Sequence, residues 1–293
     1  MKILIADKLS PKAITTLNKI GAEITSNPDL KAEELSDAIG SANVLIVRST
    51  KVYAETIEAG KSLELIIRAG AGVNNIDLEK ASSSGVYVAN CPGKNSDAVA
   101  ELALGHIIAC DRRIVDASLD LRSGNWKKKA YQNAAGLKGR TLGIIGLGSI
   151  GSALAKLAKG LDMNVIAWSR NLTPDKADAL DLVYCKSIAE VAANADAVSV
   201  HLAVTPDTKH LLNTKFFNKM KDGAIFVNTS RGEIVDTAAL RKAIDEKALR
   251  VGLDVFENEP GSGVAEFDQT DLADLITCTP HIAASTNQAS EAI

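Results

Sequence analysis

Gly146, Gly148 and Gly151 stand at GxGxxG spacing, between an apolar run at residues 141–145 and a stretch where Ile150, Leu154, Leu157, Ala158 and Leu161 recur at helical intervals. A strand that turns through such glycines into a helix suits a pyrophosphate. Gly146 allows the tight turn, Gly148 lets the backbone approach the phosphates, and Gly151 lets helix and strand pack closely. The first amides of the helix, at Ser149 and Ile150, then face the anion together with the positive end of the helix dipole. A second apolar run, residues 163–168, completes a βαβ pattern. In an NAD site an acidic residue about 20 positions beyond the glycine loop takes the ribose hydroxyls and repels a 2'-phosphate. Here that position is Ser169, followed by Arg170 and Asn171. A hydroxyl, a guanidinium and an amide accommodate a phosphate, so both NAD(H) and NADP(H) stay open.

The elements that must position this loop are legible on either side of it. Strand patterns at residues 2–6, 44–47, 65–68 and 86–89, with polar helical segments between them, predict a small α/β domain ahead of the glycine loop. A long helical stretch at 96–121 can bridge two domains. After the loop, strand patterns at 141–145, 165–168, 182–184, 197–200, 224–228, 251–255 and 275–278 alternate with helices, the pattern of a doubly wound parallel sheet. The expected fold is therefore α/β, with two doubly wound domains and the nucleotide domain inserted into a discontinuous substrate domain. The expected boundaries are 1–97 with 285–293 for the substrate domain and 98–284 for the dinucleotide domain. Residues 286–293 read as the start of a helix, which is expected to be cut short.

Composition narrows the partners. Thirty-three basic against 36 acidic residues give a net charge of -3, which supplies no footprint for nucleic acid or an anionic membrane. No apolar stretch reaches the roughly 20 residues that span a bilayer, and the N-terminus begins directly as a strand. Cys91, Cys110, Cys185 and Cys278 are scattered without metal-ligand spacing, so they read as reduced thiols of a cytoplasmic protein with no zinc site. His106 lies on the apolar bridging helix and reads as a packing residue. His201 ends a strand and is assigned no chemistry, and His210 reads as surface.

Five segments in order, RAGAGVNNID at 68–77, the glycine loop, NTSRG at 228–232, GLDVFENEP at 252–260 and TPHIAAST at 279–286, make the whole chain resemble the D-isomer-specific 2-hydroxyacid dehydrogenase family. Within it, the similarity is to the phosphoglycerate dehydrogenases. Oxidising a 2-hydroxy acid needs a base for the hydroxyl proton, a cationic clamp for carboxylate and carbonyl oxygens, and a nicotinamide at the reacting carbon. The resemblance places the clamp on Arg231 and the acid/base on His281, with Glu259 orienting the imidazole and favouring its protonated form.

The resemblance implies more of the site. Thr229, Ser230, Asp254 and Ala283 would approach the nicotinamide half, while Ser149 and Ile150 contact the pyrophosphate. Backbone amides around Ala71 and Gly72 would cradle the substrate carboxylate, and Arg48 and Arg68 match cations that bind a distal phosphate. The expected substrate is a small 2-hydroxy or 2-oxo acid, with or without a phosphate, and the expected assembly is a homodimer. A glyoxylate or hydroxypyruvate reductase leaning to NADPH is the alternative within the family. A nucleotide-sensing interaction protein resembling the family's corepressors is the alternative of another class.

Overall fold

The computed structural model describes residues 1–260 and 266–293. The chain divides into two compact units: Met1–Asn95 with Ser285–Ile293, and the described residues of 96–284. Residues 261–265, within the span expected for the dinucleotide domain, lie outside the description.

The first unit is built on five parallel strands, β1 (Lys2–Ile5), β2 (Glu23–Ser26), β3 (Val44–Val47), β4 (Leu65–Arg68) and β5 (Tyr87–Asn90), in the order 2-1-3-4-5. This is the flavodoxin-like winding. Leu4, Leu45 and Ile66 are in register and face one core, whereas Ile3, Ile5, Val44 and Ile46 face another. Apolar residues on both faces are what a parallel sheet covered by helices requires. Strand β2 escaped the sequence reading because Glu-Ile-Thr-Ser is a half-polar edge strand with no buried residue. The last helix, Asn287–Ala292, is capped by Thr286, whose hydroxyl accepts from the Ala289 amide.

The second unit carries seven parallel strands. These are β6 (Thr141–Ile145), β7 (Asn164–Trp168), β8 (Val183–Tyr184), β9 (Ala197–Val200), β10 (Ile225–Asn228), β11 (Arg250–Leu253) and β12 (Thr277–Cys278), in the order 12-11-10-9-6-7-8. Connectivity reverses between β6 and β9, where an open α/β sheet leaves a crevice at its carboxyl ends. One face packs a mutually edge-on cluster of Phe216, Phe217 and Phe226. The other packs the helices Ser96–Arg112 and Ser149–Gly160 through Ala103, Ile107, Leu154 and Ala158. The long helical stretch expected at 96–121 differs from expectation. It breaks at Arg113, whose φ of 50° is left-handed, and a separate helix, Ile114–Arg122, follows. The break is held by the Arg113 guanidinium, which bonds Asp116 at 3.0 Å and lies 4.9 Å from the Tyr131 ring centre.

Candidate active site

The glycine loop leaves β6 at Ile145 and enters the helix Ser149–Gly160. Gly146 has a φ of +98°, and a Cβ there would lie 2.5 Å from the His201 carbonyl oxygen, so only glycine serves at this turn. Gly151 has no more room, since its Cβ would meet the Gly146 carbonyl oxygen at 2.3 Å. Gly148 is different. It caps the helix without a side chain, and a Cβ there would meet nothing within 4 Å. Exposed Ser149 and half-buried Ile150 therefore present first-turn amides that no capping side chain occupies. That is an anion cradle.

Two further features fit a dinucleotide along the same sheet edge. Among the described residues, Thr229 Oγ1 after β10 and His201 Nδ1 after β9 are buried side-chain polar atoms without a hydrogen-bond partner. Buried polar atoms are ordinarily satisfied, so such atoms beside a cradle suit a polar ligand. Burial also pushes the His201 imidazole down to about 4, which keeps it neutral. At the end of β7, Ser169 and Arg170 stand where the ribose acid of an NAD site would be. Arg170 is exposed and forms no ion pair among the described residues, and Lys176 joins this loop by donating to the Asn171 carbonyl at 3.2 Å.

The ends of β10 and β11 assemble the polar centre. Asn228 organises the turn after β10: its Oδ1 accepts from the Ser230 amide at 3.0 Å and hydroxyl at 2.7 Å, while its Nδ2 donates to the Arg231 carbonyl at 2.9 Å. Arg231 is thus presented in extended backbone, with Nη1 donating to the Ser230 carbonyl at 2.7 Å. Gly232 is packed so tightly that a Cβ would lie 2.0 Å from the Phe256 carbonyl. Beyond β11, Asp254 is fully buried at 0% exposure. Its Oδ1 accepts from the Thr279 hydroxyl at 2.6 Å and the Ile282 amide at 2.9 Å, and its Oδ2 from the Ala283 amide at 2.9 Å. Its backbone carbonyl takes the His281 amide at 2.8 Å. Asp254 therefore holds the loop on both sides of His281, whose φ of 51° is left-handed.

His281 Nδ1 lies 2.6 Å from Glu259 Oε2, and Glu259 Oε1 is fixed by the Phe256 amide at 3.0 Å. An ionised carboxylate only accepts, so the proton sits on Nδ1 and leaves Nε2 for other chemistry. The hydrogen bond to Glu259 raises the His281 pKa above its ordinary value, against burial and the nearby Arg231 charge. Burial pushes Glu259 upward, but the His281 hydrogen bond and charge, the Phe256 amide and Arg231 outweigh it and leave the carboxyl low. The arrangement can exchange a proton at Nε2 beside a permanent cation.

The remaining expected residues lie in the first unit, on adjoining loops. Asp7 Oδ2 accepts the amides of Arg48, Ser49 and Thr50 at 2.7, 3.1 and 3.0 Å and so shapes the loop after β3. That loop is tied to the one after β4 by the Val52 amide on the Asn75 carbonyl at 2.7 Å and by Asn75 Nδ2 on the Thr50 carbonyl at 2.8 Å. Arg68 Nη1 fills the space where a Cβ on Gly70 would stand, 1.5 Å from that point. Asn90 Nδ2 donates to the Ala71 carbonyl at 2.5 Å, which leaves Ala71 and Gly72 on a braced, half-buried turn. Asp7, Asn90, Asn228, Thr279 and His106 had no role in the sequence reading. Asn228 and Thr279 lie within the NTSRG and TPHIAAST segments quoted there, whereas Asp7, Asn90 and His106 carry no local signal.

Residues 104–283 match the family model described as "D-isomer specific 2-hydroxyacid dehydrogenase, NAD binding domain". The chain belongs to the D-isomer specific 2-hydroxyacid dehydrogenase family. It is a nicotinamide-dependent oxidoreductase of that family, acting on the CH–OH group of 2-hydroxy acids. It is 40% identical to the hydroxypyruvate reductase of Thermotoga maritima over 100% of this chain and 94% of that one. It is also 40% identical to the D-3-phosphoglycerate dehydrogenase of Archaeoglobus fulgidus over 99% of this chain, which spans only 54% of that relative. Among solved structures, the TT0316 protein of Thermus thermophilus superposes with a TM-score of 0.86 at 33% identity, over 100% of this chain and 94% of that one. Residues 146–151, which form the glycine cradle, fall within the span matched by that family model. Among the described residues no helix is long and apolar enough to cross a membrane, and no cluster could hold a metal ion.

Proposed function

We propose that the chain interconverts 3-phosphoglycerate and 3-phosphohydroxypyruvate, the step that directs this hydroxy acid to serine synthesis. The observation that carries this reading is the His281–Glu259 pair, which leaves Nε2 free for a proton. In oxidation His281 Nε2 accepts the substrate hydroxyl proton, and Glu259 stabilises the imidazolium that results. Arg231 binds the carboxylate and carbonyl oxygens through its guanidinium fork. Ser149 and Ile150 hold the pyrophosphate, and Thr229 and Ser230 face the nicotinamide half, whereas Asp254, expected there from the sequence, is buried with both oxygens engaged and braces the loop that carries Ala283. A bound nicotinamide supplies hydride acceptance and donation. The amides around Ala71 and Gly72 bind the substrate carboxylate, and Arg48 and Arg68 take the distal phosphate. Their adjoining loops support that assignment.

The second reading is a glyoxylate or hydroxypyruvate reductase that uses NADPH. The 40% identity to a hydroxypyruvate reductase and the Ser169–Arg170 pair favour it. The corepressor-like reading has less support, since a sensor has no use for the His281–Glu259 pair. The enzyme reading includes a cytoplasmic homodimer, supported by four free cysteines and by exposed Leu119, Leu121 and Trp126 in the nucleotide unit.

The test is reduction of 3-phosphohydroxypyruvate, hydroxypyruvate and glyoxylate with NADH and with NADPH, in wild type and in Arg48→Ala and Arg68→Ala. The expected result is the highest kcat/KM with the phosphorylated acid, and a KM for it that rises about tenfold or more in either variant. Equal losses for all three acids would transfer the assignment to the second reading, and no turnover of any would favour the sensor.

A further inference from the structure

His106 reads from sequence as a packing residue on an apolar helix, and it is indeed 2% exposed. Its surroundings are not those of an inert core residue. Nε2 lies 3.0 Å from Thr279 Oγ1, and Thr279 Oγ1 lies 2.6 Å from Asp254 Oδ1. Gly252 on β11, two residues before Asp254, makes room for the ring: a Cβ there would stand 2.8 Å from His106 Cβ and 3.1 Å from Cγ. A helix, a strand and the loop carrying His281 therefore meet at one buried imidazole.

The proton inventory fixes the direction of this chain. Both Asp254 oxygens accept backbone amides, at Ile282 and Ala283, so the carboxylate acts as acceptor. A threonine hydroxyl has one proton to give. At 2.6 Å from a carboxylate oxygen that proton belongs to Asp254. The ring nitrogen must then donate into Thr279 Oγ1, which requires a hydrogen on Nε2. Burial lowers the His106 pKa against the field of Asp254, in keeping with a neutral ring. With the hydrogen on Nδ1 instead, Nε2 would compete for the threonine proton. Asp254 would lose a donor while buried, which is costly.

We infer that His106 is a positioning residue: its Nε2–H orients the Thr279 hydroxyl onto Asp254, and Asp254 so fixed holds the loop that presents His281. The step from Asp254 to His281 is short. Asp254 grips Ile282 and Ala283 through its side chain and His281 through its carbonyl, while His281 sits in a left-handed conformation that its neighbours must impose. The inference rests on the proposed role of His281, but its first readout does not.

The experiment pairs nitrogen-detected NMR of the imidazoles with kinetics and amide exchange. In wild type His106 is expected to show a slowly exchanging Nε2–H and to titrate below the ordinary histidine value. A ring bearing its hydrogen on Nδ1, or titrating as an exposed histidine does, overturns the inference whatever the enzyme's substrate. His106→Leu is expected to lower kcat about tenfold and to speed exchange of the Ile282 and Ala283 amides. His106→Gln, whose amide NH2 can donate from nearly the same place, should recover most of kcat and the slow exchange. Thr279→Val should behave like His106→Leu, and Thr279→Ser like wild type. Unchanged kcat and exchange in His106→Leu, or no recovery in a folded His106→Gln, overturns the inference. An inactive wild type with the expected tautomer instead removes the functional reading and leaves the hydrogen-bond chain standing.

Discussion

The Nδ1 of His281 donates to Glu259 Oε2 at 2.6 Å, and the other oxygen of that carboxylate is fixed by the Phe256 amide at 3.0 Å. The imidazole is held at one nitrogen and available at the other. Its pKa is raised by the carboxylate, so the protonated form persists above the ordinary value of about 6.5. In the proposed chemistry oxidation starts from neutral His281, so kcat/KM for oxidation should rise with pH through a value above about 6.5, while that for reduction falls through the same value. Glu259→Gln removes the charge that raises it. Both limbs should move to lower pH, measured as kcat/KM against pH in each direction, and limbs that stay in place contradict the assignment.

Arg231 is brought to the same centre by the Asn228-braced turn. Arg231→Ala should lower kcat/KM by about a hundredfold or more, because a fixed cation at the developing negative oxygen is lost. Arg231→Lys should recover little, since a single ammonium does not reproduce the planar fork. Steady-state kinetics of both variants, with circular dichroism to establish folding, checks this.

At the end of β7 the carboxylate of an NAD site is replaced by Ser169, with exposed Arg170 beside it. Ser169→Asp should raise the preference for NADH over NADPH by about tenfold or more, through hydrogen bonds to the ribose hydroxyls and repulsion of a 2'-phosphate. Calorimetric titration with ADP-ribose and 2'-phospho-ADP-ribose gives the same comparison without turnover. An unchanged ratio removes Ser169 as a determinant of cofactor choice.

Gly232 lies against the Phe256 backbone, where a Cβ would stand 2.0 Å from a carbonyl carbon and oxygen. Neither atom can move without moving the segment that ends in Glu259. Gly232→Ala should destabilise the fold by about 1–3 kcal/mol, read as a lower thermal midpoint, and should reduce kcat together with it. A variant with unchanged midpoint and turnover would show that the segment yields freely.

Much of this was legible before the fold was known. Gly146 and Gly151 are dictated by clashes with backbone, and such positions leave an obligatory glycine in the sequence. Strands with continuous apolar runs, such as β3 and β10, announce themselves in the same way. Strand β2 did not, because an edge strand needs only its backbone to pair and carries no buried pattern. The break at Arg113 was invisible for a related reason: apolar spacing continues across it, and the left-handed residue is held by contacts with Asp116 and Tyr131. His106 reads as a packing residue and is buried, but its hydrogen-bonded link to Thr279 left no signal in the sequence. Its partners, Thr279 and Asp254, are 173 and 148 positions away, and only the fold joins them.

Of all these measurements, reduction of 3-phosphohydroxypyruvate by wild type and by His281→Ala, with the configuration of the product determined, bears most directly on the proposed chemistry. Wild type should form the D-hydroxy acid, and His281→Ala should fold normally while losing about a hundredfold or more in kcat. Near-normal turnover by His281→Ala, or an L-configured product from wild type, would contradict it.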